Sequence, residues 1–353
     1  MSTVAQHVAQ LLAKNVQNPY NPLIMKELCF SGIQPTNIIH IGNYIGAIKQ
    51  WADMQHRYPC FFCIVDLHAI TVPQDPKQLR ENNLKLAATY LATGLDPKRS
   101  HIFMQSEVAE HSELAWIFST MTKMAELERM TQFKDKAKKR GENVGAGLFS
   151  YPALMAADIL LYDTTVVPVG EDQLQHLELT RTLARRFNKD FGETFIVPKS
   201  LIQESGARIM GLDDPSGKMS KSASSAMNYI ALTDTDKDIE KKIKKAVTDS
   251  EKDIGYDPIK RPAISNLMTL FHHANGMTTS EQEKTYAGQG YGPFKQDLIE
   301  ALIGMIAPIR SKIDQYLDDR GELDRVLDAG RDEAKKIASE KMKVVRERVG
   351  LGR

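Results

Sequence analysis

The sequence predicts an α/β fold, a doubly wound parallel sheet followed by an all-helical C-terminal domain. Two observations carry this. From Glu27 to about Phe195, short apolar runs alternate with longer amphipathic stretches, the pattern of a parallel sheet covered by helices on both faces. Beyond Ser222 strand candidates become scarce, and apolar residues recur at helical spacing as far as Val349. With 353 residues the chain is long enough for two domains. The expected boundaries are an N-terminal extension at 1–26, an α/β domain at 27–222 and a helical domain at 223–353.

In the extension, Val4, Val8, Leu11 and Leu12 have the spacing of a short amphipathic helix, ended before Pro19 and Pro22. Strands are expected at 28–30, 61–66, 101–104, 165–168 and 194–197, each a short apolar run. Between and after them, helical periodicity covers 42–57, 77–93, 112–121, 152–162 and 172–187. The C-terminal helices are expected at 234–247, 264–274, 280–286, 294–316 and 322–349. In such a sheet, ligands bind beyond the carboxyl ends of the strands. The loop after Phe30, the Asp66-Leu67-His68 turn and the Val169-Gly170-Glu171-Asp172 turn fall at such ends.

Bulk properties exclude several classes. Lys plus Arg number 46 and Asp plus Glu 45, so a nucleic-acid surface would have to be local. In the last helix Lys335, Lys336, Lys343, Arg346 and Arg348 are interleaved with Asp332, Glu333, Glu340 and Glu347, as on a solvated face. No apolar run is long enough to span a bilayer, so no membrane partner is expected. Residues 1–26 lack acidic side chains, but they also lack arginine and a secretory apolar core. The expectation is therefore a cytoplasmic chain without a targeting segment. Cys29, Cys60 and Cys63 are too few for a disulfide scaffold. The Cys60-x-x-Cys63 pair lies in an apolar strand with no partner set for zinc. It reads as core thiols in a reducing compartment, and no metal ligands are assigned. The glycine fingerprints of dinucleotide-binding strands and of P-loops are absent.

Two segments carry chemistry. Lys218-Met219-Ser220-Lys221-Ser222 follows the turn Asp213-Asp214-Pro215-Ser216-Gly217. It puts two cations and hydroxyl donors on one loop, which can close over a triphosphate and neutralise charge as a phosphate bond breaks. The second segment runs from Phe30-Ser31-Gly32-Ile33-Gln34-Pro35-Thr36 to His40-Ile41-Gly42-Asn43-Tyr44-Ile45-Gly46-Ala47. It reads as a strand, a loop and a helix start, with Ile45, Ile48 and Trp51 at helical spacing. Backbone donors at a helix start attract phosphate. Gly42 lets a base or ribose approach the backbone, and His40 and Asn43, three apart, can reach one phosphate. Taken singly, the first segment also fits a solvated basic turn and the second a helix cap.

Together they resemble the signature pair of the class I aminoacyl-tRNA synthetases. There, a His-Ile-Gly-His element and a Lys-Met-Ser-Lys-Ser loop bind ATP from opposite sides. Here Asn43 fills the fourth position of the first element. With Ser-Gly-Ile-Gln-Pro before it and Asn-Tyr-Ile-Gly-Ala after it, the segment looks like the tryptophanyl branch. The likeness extends over Cys63–Thr71, Glu126–Lys134, Tyr151–Tyr162 and Val169–Gln173, and runs from about residue 28 to the C-terminus. Asn37 departs from it, standing where glycine is expected, although asparagine also tolerates positive φ.

The resemblance implies a Rossmann-like catalytic domain. It implies activation of L-tryptophan by ATP, with Mg2+ accompanying the triphosphate, then transfer to tRNA(Trp). A homodimer is expected, with part of the helical domain meeting the anticodon region. His40, Asn43, Lys218 and Lys221 are the expected catalytic residues. ATP is expected to contact Gln34, Pro35, Thr36, Gly42, Asn43, Gly170, Glu171, Asp172, Ile209, Lys218, Met219, Ser220, Lys221 and Ser222. Carboxylates at 171 and 172 suit ribose hydroxyls and equally suit a helix cap. For the amino acid, Asp158 is a lone carboxylate in the apolar stretch Ala156–Leu161, costly unless partnered, and is expected to accept the indole N–H. Phe30 and Met155 would pack on the ring. Tyr151, Gln173 and His68 would hold the polar end or support the pocket. Lys134 and Lys136 are either helpers or a solvated loop. The competing readings are a tyrosyl-tRNA synthetase and a nucleotide- or RNA-binding protein without catalysis.

Overall fold

Strand β1 (Cys29–Ile33) is the first described element, and the route away from it sets the architecture. The computed structural model describes residues 27–353 except 36–37, 139–143, 171–172, 203–207, 221–222, 224 and 252. The extension at 1–26 lies outside the described residues. After β1, helix α1 runs as three continuous stretches, Ile41–Asn43, a wider π-type segment Tyr44–Ile48, and Lys49–Met54. Then follow β2 (Cys60–Ile64), the short α2 (Asp66–Ala69), α3 (Pro76–Ala92), β3 (Ser100–Met104) and a 3-10 turn, Gln105–Glu107. Helix α3 starts where the Asp75 carboxylate accepts from the Gln78 N–H, with proline at its first position, a sequence-encoded cap. Next come α4 (Glu110–Met121), α5 (Met124–Glu128), α6 (Thr131–Lys138), α7 (Ala146–Leu160), β4 (Val166–Val169), α8 (Leu174–Phe191) and β5 (Lys199–Ile202).

The five strands form one parallel sheet in the order β3-β2-β1-β4-β5. The chain winds outward from β1 through β2 to β3, then returns to the other side of β1 as β4. This reversal of strand order is the switch point at which doubly wound sheets open a crevice. Alternate residues feed the two faces. Cys29, Cys60, Phe62, Ile64 and Ile102 pack towards α1 and α3, where Trp51 stacks on Phe62 with centroids 5.0 Å apart. Phe30, Phe61, Cys63, Phe103, Val167 and Val169 pack towards α4, α7 and α8.

The C-terminal region is helical, as expected: α9 (Asp236–Lys245), α10 (Pro262–Asn275), α11 (Thr279–Thr285), α12 (Tyr291–Asp318) and α13 (Arg320–Val349). Helix α13 returns to the sheet. Its Ala334, Ala338, Met342 and Val345 join the second apolar layer, and Gly330 sits against the Ile102 backbone. Arg346 pairs with Glu113, Lys343 with Glu340 and Lys336 with Glu333. The buried cation of this helix is Lys341, which bridges Asp163 (2.6 Å) and the Thr194 carbonyl (2.9 Å).

The strand expected at 194–197 lies instead at Lys199–Ile202. Asn188 explains the shift: its Oδ1 accepts from the Thr194 and Phe195 amides, and its Nδ2 donates to the Phe195 carbonyl. Phe195 is buried as core, which gave the apolar signal without a ladder. Helix α7 begins before Pro152, because Leu148 and Tyr151 extend its buried face upstream. All three cysteines are free and buried. Among the described residues no helix is long and apolar enough to cross a membrane, and no group of three or more His, Cys, Asp or Glu side chains is placed to hold a metal ion.

Candidate active site

The two distant segments singled out in the sequence meet beside the crevice. The stretch before α1 pairs with the stretch after the lysine loop: Ile41 N donates to Ile230 O (2.8 Å), Leu232 N to Ile39 O (3.0 Å), and His40 bridges Ala231 antiparallel. On the loop side, Met210 bridges Lys218, and Met219 N donates to Ile209 O (2.9 Å). Ile209 and Met219 are buried in the same layer as Ile41, which anchors the loop base, while Lys218 stands exposed. Gly42 has a local reason. A Cβ there would come within 3.0 Å of His40 Nδ1 and 3.6 Å of Ile209 Cβ, so glycine lets the imidazole fold back over the helix start without shifting.

His40 caps α1, and its N–H donates to Asn43 Oδ1 at 3.2 Å. That occupies the amide oxygen and leaves the Asn43 NH2 to donate to a ligand. The His40 ring is buried, and its Nδ1 has no partner. Burial, then the Lys218 charge, lowers its pKa from 6.5 to about 4. At neutral pH the ring is an uncharged hydrogen-bonding group beside a cation.

The crevice at the β1/β4 switch is a cavity of about 330 Å³. It gathers Phe30, Gln34, His68, Tyr151, Met155, Asp158 and Gln173, seven of the residues assigned from the sequence. Pro35 is buried at the bend after β1, and Gly170 is exposed just past β4, where its carbonyl accepts from Gln173 N at 3.0 Å. Tyr151 O–H is 2.7 Å from His176 Nε2 and 3.2 Å from Gln132 Oε1. Thr36, Glu171, Asp172, Lys221 and Ser222 lie outside the described residues, and Lys134 is exposed.

Asp158 is buried and held by three donors. Its Oδ1 accepts from Gln105 Nε2 (2.6 Å) and His111 Nδ1 (2.6 Å), and its Oδ2 from His68 Nε2 (2.8 Å). Burial alone would raise its pKa; the hydrogen bonds from His111 and His68 outweigh that and hold it well below the usual carboxylate range. The group lining the cavity is therefore a carboxylate anion.

Sequence reading missed four residues that shape this region. Gln105 and His111 hold Asp158. Asn228 accepts from Ser220 N (2.9 Å) and donates to Asp213 (2.5 Å), organising the lysine loop. Asn266 on α10 pairs with both backbone polar groups of Met210, at 2.8 and 2.9 Å. A single glutamine, histidine or asparagine has no period or spacing to reveal it; its partners are distant in sequence.

The 3-2-1-4-5 parallel sheet, with the stretch after the lysine loop bonded to the helix start that follows β1, fits a class I synthetase architecture. The profile of the family described as "tRNA synthetases class I (W and Y)" matches residues 26–307. The tryptophan–tRNA ligase of Listeria monocytogenes is 52% identical over 329 residues, 93% of this chain and 99% of the relative. That of Bacillus subtilis is 51% identical, with the same shares covered. A crystal structure of tryptophanyl-tRNA synthetase from Campylobacter jejuni, complexed with ADP and tryptophan, superposes with a TM-score of 0.80 at 40% identity, covering 92% of this chain and 100% of that one. The Mycoplasma pneumoniae structure gives 0.84 at 35% identity, covering 93% and 99%. The chain belongs to the tryptophanyl-tRNA synthetase family of class I.

Proposed function

We propose that the protein activates L-tryptophan with ATP as tryptophanyl-adenylate and transfers it to the 3′ end of tRNA(Trp). One observation carries the reading: a cavity floored by a buried carboxylate opens beside the helix start that the lysine loop is tied to. The tryptophan carboxylate attacks the α-phosphate and pyrophosphate leaves; a ribose hydroxyl of the tRNA then takes the aminoacyl group. Neither step needs a protein nucleophile, so positioning and cations facing the developing charge supply the catalysis.

Within that scheme Asp158 accepts the indole N–H, while Phe30 and Met155 sandwich the ring. Tyr151 and Gln173 hold the polar end, and His68, bonded to Asp158, supports the pocket. Gly42 and the amide of Asn43 meet the nucleotide at the start of α1, with His40 donating as a neutral ring. Gln34, Pro35 and Thr36 line the near side of ATP, and Gly170, Glu171 and Asp172 take its ribose. Ile209 and Met219 seat the adenine end. Lys218, Ser220, Lys221 and Ser222 close on the leaving phosphates. Mg2+ would accompany the triphosphate, whose oxygens suit a hard cation, and would add positive charge beside the leaving phosphates.

The 27–222 unit is the catalytic domain, and helices of 223–353 face the anticodon side of the tRNA. The working form is a cytoplasmic homodimer. A surface groove of about 360 Å³ supports the dimer: Ile70, Ser112, Trp116 and Leu154 line it, and Trp116 is 70% exposed. An exposed tryptophan beside apolar neighbours fits a self-complementary interface. Sedimentation of wild type and Trp116→Glu tests it: the reading expects a dimer converted to monomers, and a wild-type monomer refutes it.

ATP–pyrophosphate exchange with each of the twenty amino acids tests the activity. Exchange with tryptophan alone is the expected result. Exchange confined to tyrosine would transfer the chain to the sister branch, and no exchange would leave a binding protein without catalysis.

A further inference from the structure

We infer that His111, braced by Tyr162 and joined by Gln105, is a positioning residue that presents Asp158 to the ligand ring as an acceptor with a single open lone pair. The inference rests on the proposed role of Asp158 as the indole acceptor, and makes His111 the residue through which the choice of ring is set.

The argument is a count of hydrogen bonds. An ionised carboxylate offers about four lone-pair positions, two on each oxygen. Gln105 and His111 fill both on Oδ1, and His68 fills one on Oδ2. One acceptor position remains, on Oδ2. Asp158 lines the cavity, whereas Gln105 and His111 stand behind it. The carboxylate therefore shows the ligand one acceptor, a match for a flat ring bearing one N–H.

His111 can hold this arrangement because it cannot turn. It is completely buried, and its second nitrogen, Nε2, lies 2.7 Å from the Tyr162 hydroxyl. With both nitrogens engaged, a ring flip would break both bonds. Tyr162 is itself fixed between Phe30 and Phe61, with centroids 5.5 and 5.0 Å away and planes within 10° and 17°. Phe30 is also a cavity wall. The ring that packs on the ligand and the ring that orients its acceptor thus share one support.

The groups facing Asp158 are His68 on α2, Gln105 after β3, His111 on α4, Cys63 on β2 and Tyr162 just beyond α7. Burial raises the pKa of both Cys63 and Tyr162, which keeps them uncharged beside the anion. Hydrogen-bond donors, not a lysine or arginine, hold the charge.

Pyrophosphate exchange of the full-length enzyme tests this, with tryptophan and with β-(3-benzothienyl)alanine, whose ring sulfur replaces the N–H. Wild type, His111→Leu, His111→Asn, Tyr162→Phe and Asp158→Asn are compared between pH 5 and 8. His111→Leu should lower the preference for tryptophan over the sulfur analogue about ten-fold, through the KM for tryptophan, with the analogue's KM unchanged. An acid limb in tryptophan kcat/KM, absent from wild type in this range, should appear at its low end, because the carboxyl group has lost a donor. His111→Asn, which returns an amide N–H near the Nδ1 position, should restore both, and Tyr162→Phe should give a partial loss. Equal loss for both rings, or no rescue by asparagine, overturns the inference. If Asp158→Asn abolishes the preference while His111→Leu keeps it, the acceptor reading stands and the inference fails. If Asp158→Asn keeps the preference, both fall. Should His111→Leu not fold, His111→Gln and Tyr162→Phe decide by the same ratio.

Discussion

Acidification should destabilise this protein through His40. In the folded state the imidazole is buried, lacks a partner at Nδ1 and feels the Lys218 charge, so its pKa falls from 6.5 to about 4. The unfolded chain binds the proton near pH 6.5 and the folded chain only near pH 4. Stability from the neutral ring is therefore complete above pH 6.5 and drains away as the pH falls towards 4. The whole gap corresponds to about 3 kcal/mol, and about 2 kcal/mol of it is gone at pH 5. Urea unfolding at pH 7.5 and 5.0, for wild type and His40→Gln, isolates the effect. Wild type should lose about 2 kcal/mol more than the variant. Equal losses, or an imidazole NMR signal from His40 titrating near pH 6.5, would refute the reasoning.

Three further outcomes are expected. Lys218→Ala should slow adenylate formation by about 10²–10³-fold with tryptophan binding retained, and should move the His40 midpoint upward, because the Lys218 charge is one of the two causes lowering it; stopped-flow rates and NMR titration measure both. Gly330→Ala should destabilise by about 3 kcal/mol, since a Cβ there overlaps the Ile102 carbonyl oxygen and lies 2.7 Å from its carbon and 2.9 Å from its nitrogen; a thermal midpoint unchanged from wild type would contradict this packing. Lys242→Met should cost about 3 kcal/mol by stranding the Asp234 carboxylate, which it meets 2.5 Å away while lying over the Tyr229 ring; a urea midpoint within error of wild type would show the pair to be dispensable.

The sheet was legible because buried parallel strands are written locally. Cys60–Ile64 and Val166–Val169 are continuous apolar runs bounded by polar turns, which neither tertiary contacts nor partners need to define. The two motif segments stood out for the same reason, since Lys218 to Ser222 and His40 to Ala47 are contiguous. Phe195 misled because burial in the core and burial in a strand give one signal, and only the distant Asn188 decides between them. Asp158 was legible as an anomaly in an apolar helix. Two of its supports were not, because Gln105 and His111 lie 53 and 47 positions away. A residue that is costly when alone announces itself; the residues that remove the cost look ordinary.

His40 and Asp158 are two answers to one physical problem. Each is a titratable group taken out of water, and burial disfavours the charged form of both. His40 has no partner at Nδ1 and a lysine nearby, so it gives up its charge. Asp158 has three donors and keeps its own. On the proposed reading the amino-acid side of the crevice carries a fixed anion with one lone pair open to the ring, a static arrangement suited to selection. The nucleotide side carries an uncharged imidazole, and its positive charge stands on an exposed loop residue, Lys218. Charge that must appear only as pyrophosphate leaves belongs on a group that can move; charge that must discriminate belongs on one that cannot. Asp158 titrates below its usual range and His40 near 4, so between pH 5 and 8 the ring-reading charge is constant. In that window any change in ring preference must come from geometry, and any loss of stability with acid that the His40 variant abolishes must come from the imidazole.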